Sequence, residues 1–77
     1  MFYVVAVNDD GDITVRRQAT KPSELTLAGI CEPDETPTVE NSLEDVRERL
    51  KDYGAEESNI EEAIKEIESS FDWVRVY

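Results

Sequence analysis

The chain opens on an unbroken β-branched and aromatic run, Phe2-Tyr3-Val4-Val5-Ala6-Val7, turns polar at Asn8-Asp9-Asp10-Gly11-Asp12, and resumes with Ile13 to Gln18. This pattern predicts two strands joined by a tight turn. A two-residue Asp10-Gly11 turn would pair Val5 with Arg16 and Val7 with Thr14, setting apolar residues opposite polar ones. A three-residue loop, Asp9-Asp10-Gly11 with Gly11 left-handed, instead pairs Val7 with Ile13 and Val5 with Val15 and makes one face continuously apolar. The second register is preferred. Because Phe2, Val4 and Ala6 make the other face of the first strand apolar as well, that strand is expected at the centre of a sheet.

Residues 19–40 show no clear period. Leu25, Leu27 and Ile30 fit either a short strand or one to two turns of helix, and Pro33 and Pro37 among acidic and hydroxyl residues predict loop over 31–40. Helical spacing then sets in. Asn41-Ser42-Leu43-Glu44 offers a cap, Leu43, Val46, Leu50 and Tyr53 fall on one stripe, and Gly54 supplies a stop. Ser58-Asn59-Ile60-Glu61 matches a capping box for a second helix whose stripe is Ile60, Ala63, Ile64 and Ile67. Phe71 to Tyr77 alternates as a terminal strand, Val74 and Val76 on one side and Trp73, Arg75 and Tyr77 on the other. The predicted fold class is α+β. A small, mainly antiparallel sheet, made of the N-terminal hairpin and the C-terminal strand, is covered on one face by two helices in the order β-β-(uncertain)-α-α-β.

Length changes this picture little. At 77 residues the chain forms one domain, 1–77, with a thin core, since a domain of this size buries only about 60% of its unfolded surface. No apolar run approaches the roughly 18 residues a membrane span needs, and the N-terminus lacks a signal-peptide pattern, so a soluble cytoplasmic protein with no membrane contact is expected. The lone Cys31 fits a reducing compartment.

Catalytic and cofactor chemistry finds little support. The chain has no histidine, which removes the commonest general base, the usual partner of a cysteine nucleophile and the commonest transition-metal ligand. A zinc site would rest mostly on carboxylates. Aligning Gly11 with the sixth position of a calcium loop puts Ala6 at the first ligand and Arg17 at the bidentate position, and the match fails. Gly11, Gly29 and Gly54 are too widely spaced for a phosphate loop. No enzyme activity, cofactor, metal or catalytic residue is expected.

Charge carries the functional signal. Nineteen acidic and eight basic residues give 8 − 19 = −11, of which residues 40–77 hold −7. Glu56, Glu57, Glu61, Glu62, Glu66 and Glu68 accompany only Lys65 in the second helical region, roughly one carboxylate per 3 to 4 Å of helix. Duplex DNA carries a phosphate every ~3.4 Å along each strand. In the first helix Asp45, Glu48 and Asp52 stand among Arg47, Arg49 and Lys51, a mixed face. Arg16, Arg17 and Lys21 form too small a basic cluster for direct nucleic-acid binding.

In size, charge and lack of chemistry the chain resembles the small acidic DNA-mimic inhibitors of phages and mobile elements, of anti-CRISPR or anti-restriction type. The resemblance rests on the acidic residues from Glu40 to Glu68; such inhibitors share no common fold, so it assigns no residue a role. It implies a basic nucleic-acid-binding protein or complex as partner; the charge distribution, independently of the resemblance, makes the second helix the expected principal contact, with Asp45, Glu48 and Asp52 next. The alternative is an interaction or assembly module, a homodimer included, that works through an exposed sheet face of Phe2, Val4, Trp73 and Tyr77, its acidity serving solubility or salt adaptation. Residues 19–40 folding back over that face would remove it.

Overall fold

In the computed structural model, which describes residues 1–69 and 71–77, β1 (Phe2–Val7) pairs antiparallel with β2 (Ile13–Gln18) in the register that sets Val7 opposite Ile13 and Val5 opposite Val15. The turn is the three-residue one. Asn8 N–H donates to Asp12 O and Gly11 N–H to Asn8 O, both at 3.0 Å, with Gly11 at φ 87°. The Asn8 carboxamide accepts from the amides of Asp10 and Asp12 at 3.0 and 2.8 Å, so one side chain holds the turn closed.

The segment after the hairpin makes two further elements. Ser23 accepts from Thr26 N–H at 3.2 Å and caps α1 (Glu24–Ile30), which settles the ambiguous Leu25, Leu27 and Ile30 as helix. The expected loop over 31–40 is corrected in its second half: Thr36–Glu40 is a strand, β3, paired antiparallel with β1. Pro37 argued against a strand there, yet proline is compatible with an edge strand whose N–H would face outward.

Two helices follow, α2 (Leu43–Asp52) and α3 (Glu57–Glu68), and then β4 (Trp73–Val76), shorter than the predicted 71–77 and paired with β2. Ser42, not Asn41, caps α2, accepting from Asp45 N–H at 3.1 Å. Gly54, at φ 83°, ends that helix: its N–H reaches Lys51 O while Ala55 N–H reaches Leu50 O, the paired bonds of a Schellman turn. The turn delivers the chain into α3 with its cap two residues ahead of the predicted one. Glu56 is the N-cap, without a side-chain hydrogen bond, and Ser58 lies inside the first turn, so the capping box does not form.

The sheet order is β3-β1-β2-β4, with β1 internal as its two apolar faces require. On one face Tyr3, Val5, Ile13, Val15, Val74 and Val76 meet Val46 and Leu50 of α2 and Ile60, Ala63, Ile64 and Ile67 of α3. Each of the fully buried Leu50, Ile60 and Ile67 contributes roughly 1.5–3 kcal/mol by leaving water. Here α2 lies against β1 and β3, and α3 against β4 and β2.

The other face is covered at its centre. Val4 and Ala6 are buried, Pro22 is buried, and Thr14 Oγ1 donates to Glu35 across 3.4 Å, which brings the segment after α1 against β2. The aromatic sheet face is thereby corrected. Val4 is 1% exposed and Phe2 half-buried, whereas Trp73 and Tyr77, at the β4 end, stay exposed at 43% and 84%.

Candidate functional site

Residues 44–68 carry ten carboxylates and four cations, 4 − 10 = −6, on the solvent side of α2 and α3. Where each carboxylate points follows from the buried stripe, because successive residues turn by about 100° around the helix axis. In α2 the stripe centred on Val46 and Leu50 puts Glu44, Glu48 and Asp52 on the opposite side, an i, i+4, i+8 ridge with Asp45 beside it, all four exposed. In α3 the stripe of Ile60, Ala63, Ile64 and Ile67 leaves Ser58, Glu62 and Lys65 outermost. Glu57, Glu61 and Glu68 fall on the α3 flank toward α2, and Glu66 on the flank toward β4.

Ion pairs confirm this division. Arg47 of α2 bridges to Glu57, at 3.7 Å, and to Glu61, tying the two helices together. Arg49 turns the other way, toward Glu40 of β3 at 3.4 Å and Asp52 at 4.0 Å. Among the described residues Glu56, Glu62, Glu66 and Glu68 of the second helical region, and Glu44, Asp45 and Glu48 of the first, have no ion-pair partner within 4.0 Å.

The second helix is thus not a uniform acidic rod. Its six carboxylates divide among two flanks, the outermost side and the entrance to the helix, and two of them share Arg47. The most continuous outward row belongs to α2, whose Glu44 was not among the expected contacts. What sequence spacing did not show was which side of each helix faces its neighbour; an i, i+4, i+8 search for carboxylates opposite the apolar stripe would have found the ridge.

Elsewhere, a groove of about 560 Å³ lies between α1 and residues 32–37, lined by Leu27, Ala28, Cys31, Pro33 and Pro37 together with Glu24, Glu32 and Glu35. Burial pushes the Cys31 thiol above its ordinary value, Glu35 adds to the rise and Arg16 opposes it. The sulfur therefore holds its proton at neutral pH, the opposite of an activated nucleophile. Among the described residues no three carboxylate or thiol groups gather as a metal site, no buried side-chain polar atom lacks a partner, and no helix is long and apolar enough to cross a membrane.

At the β4 end Arg16 stacks over Trp73, 6.0 Å from its ring centre, so one of the exposed aromatics carries a cation on its face. Comparison of the chain with protein-family models, with curated proteins and with solved structures finds no match.

Proposed function

We propose that this chain is a non-enzymatic binding protein whose acidic helical layer takes the place of nucleic-acid phosphates on a basic nucleic-acid-processing partner and so blocks its DNA-binding site. The observation that carries the reading is the pair of carboxylate rows. Glu44, Glu48 and Asp52 rise along α2 by about 6 Å per step, and Glu57, Glu61 and Glu68 follow the adjoining flank of α3. Together the rows offer about one carboxylate per 3 Å of helix length, close to the phosphate spacing of one DNA strand, with Arg47 offsetting one charge between Glu57 and Glu61. Both rows stand on helices fixed by a shared core, so binding adds no backbone ordering cost beyond that of the side chains themselves.

The test is a competition. The protein, immobilised at low salt, captures partners that duplex DNA of arbitrary sequence then releases. The Glu44→Lys/Glu48→Lys/Asp52→Lys variant, folded by circular dichroism, captures none of them. Capture that persists in this variant, or that survives about 0.5 M salt, where exposed charges are screened within a few ångströms, counts against the reading.

A second reading, association through the aromatic end of the sheet, draws support from the exposure of Trp73 and Tyr77. It predicts binding that resists salt and is lost on Trp73→Ala.

A further inference from the structure

The two edges of the sheet are not equivalent. Successive residue pairs of an antiparallel ladder alternate between pairs that exchange backbone hydrogen bonds and pairs that do not. Arg17 N–H donates to Asp72 O at 2.9 Å, in register with the pairs Arg16–Trp73 and Val15–Val74. Asp72, Val74 and Val76 therefore turn their backbone groups toward β2. Trp73 and Arg75 turn theirs outward, where no strand among the described residues pairs with them.

The same logic at the far edge gives a different result. The Asn8–Asp12 bond makes Val4 and Ala6 the residues of β1 that bond to β2, so Pro37, opposite Ala6, faces outward from β3. Proline has no N–H to offer, and that edge is blunted where β4 is open.

A recess runs beside the open edge. Asn59, Glu62 and Glu66 of α3 line it with Arg75 and Tyr77, and Glu66 continues into a groove of about 350 Å³ shared with Phe71, Trp73 and Tyr77. A strand laid along β4 would have alternate side chains on the helix side, near Glu62 and Glu66, and the rest beside Trp73 and Tyr77. A second copy fits poorly, because a two-fold pairing sets one acidic α3 flank against another on chains of charge −11.

We propose that the free edge of β4 accepts an extended segment of a basic partner protein as a fifth strand, its alternate lysine or arginine side chains lying beside Glu62 and Glu66. The backbone groups of Trp73 and Arg75 supply the pairing and the α3 flank selects the charge. The inference rests on the reading of the partner as basic.

A synthetic peptide of alternating lysine and valine is the probe, titrated into the isotope-labelled full chain at low salt. Amide exchange of Trp73 and Arg75 is expected to slow at least about tenfold on binding. Arg75→Pro removes an outward N–H and no bond to β2 but also a cation lining the recess, so it is compared with Arg75→Gln, which removes the cation alone, and relative to that variant is expected to weaken the peptide about tenfold. A peptide with the valines replaced by proline keeps the charge but cannot pair as a strand; with the wild-type protein it leaves both amides unprotected, which tests the edge without relying on any variant's folding. Equal affinity for the two peptides, or no protection at Trp73 and Arg75, overturns strand addition and leaves the acidic-layer reading standing. Dimerisation that rises with protein concentration and disappears in Arg75→Pro overturns the choice of occupant. The Glu44→Lys/Glu48→Lys/Asp52→Lys variant retains the peptide-protected amides, so failure of the acidic-layer reading would be seen separately from failure of the edge.

Discussion

Arg47 is the point at which stability and the proposed function pull in opposite directions, and replacing it with glutamine separates them. The guanidinium is about a quarter exposed and reaches two carboxylates of α3, Glu57 and Glu61, which are 65% and 54% exposed. An exposed pair is worth roughly 0.2–1 kcal/mol, so two pairs sharing one cation stabilise the helix contact by about 1 kcal/mol, less in salt. Glutamine preserves part of the aliphatic stem and limits the loss of packing. Arg47→Gln should therefore lower the urea midpoint by up to about 1 M at low ionic strength, given a slope near 1 kcal/mol/M for so small a domain, and by less at high salt. Glu61→Gln, which leaves the pair with Glu57, should cost about half as much, and the double variant should recover about 0.5 kcal/mol of coupling relative to the sum of the two. The same substitution takes the net charge from −11 to −12 and frees two carboxylates of the α3 row, so association with a basic partner should speed up while the fold weakens. A destabilisation independent of salt, with no coupling to Glu61, would refute the assignment of Arg47 as an electrostatic tie between the helices. Slower association with the partner would refute the place given to Glu57 and Glu61 in the acidic layer.

Other perturbations reach other parts of the molecule. Gly54→Ala is expected to cost about 1 kcal/mol, purely through the backbone, since φ is 83° and a Cβ there meets nothing within 4 Å; thermal denaturation should show a drop of roughly 4–8 °C. Asn8→Ala removes the acceptor of two turn amides and should cost about 1–2 kcal/mol in chemical denaturation, whereas Asn8→Asp, which keeps an acceptor oxygen but replaces the donation to Asp12 with repulsion, should recover only part of it, and more at high salt. Alkylation of Cys31 followed against pH should give a thiol titration above the ordinary range, lowered by Glu35→Gln. The sign for stability follows: the folded chain holds this proton more tightly than the unfolded one, so the contribution is complete below the unfolded thiol's range and declines as pH rises through the folded value. A midpoint that rises over that interval would contradict the burial of the sulfur.

Much of this protein is written locally. The alternation of Val5, Val7, Ile13 and Val15 selects the hairpin register because a one-residue slip would turn that face to water, and Gly11 supplies the left-handed residue the turn requires. The stripes Val46–Leu50 and Ile60–Ile67 specify which sides of α2 and α3 are buried, as 3.6-residue periodicity dictates. Composition alone sets the charge at −11. Tertiary structure decided the rest. Thr36–Glu40 becomes a strand only because β1 presents an unpaired edge to it, and its own residues, interrupted by Pro37, carry no period strong enough to show this. Val4 and Phe71 are equally apolar in sequence, yet Val4, in the internal strand β1, is 1% exposed, while Phe71 stands 56% exposed beside the open edge of β4. The acidic residues were visible from the start; their division into an α2 ridge, an Arg47-bridged flank and a flank beside β4 depends on how the two helices pack, a relation between segments that no local pattern contains.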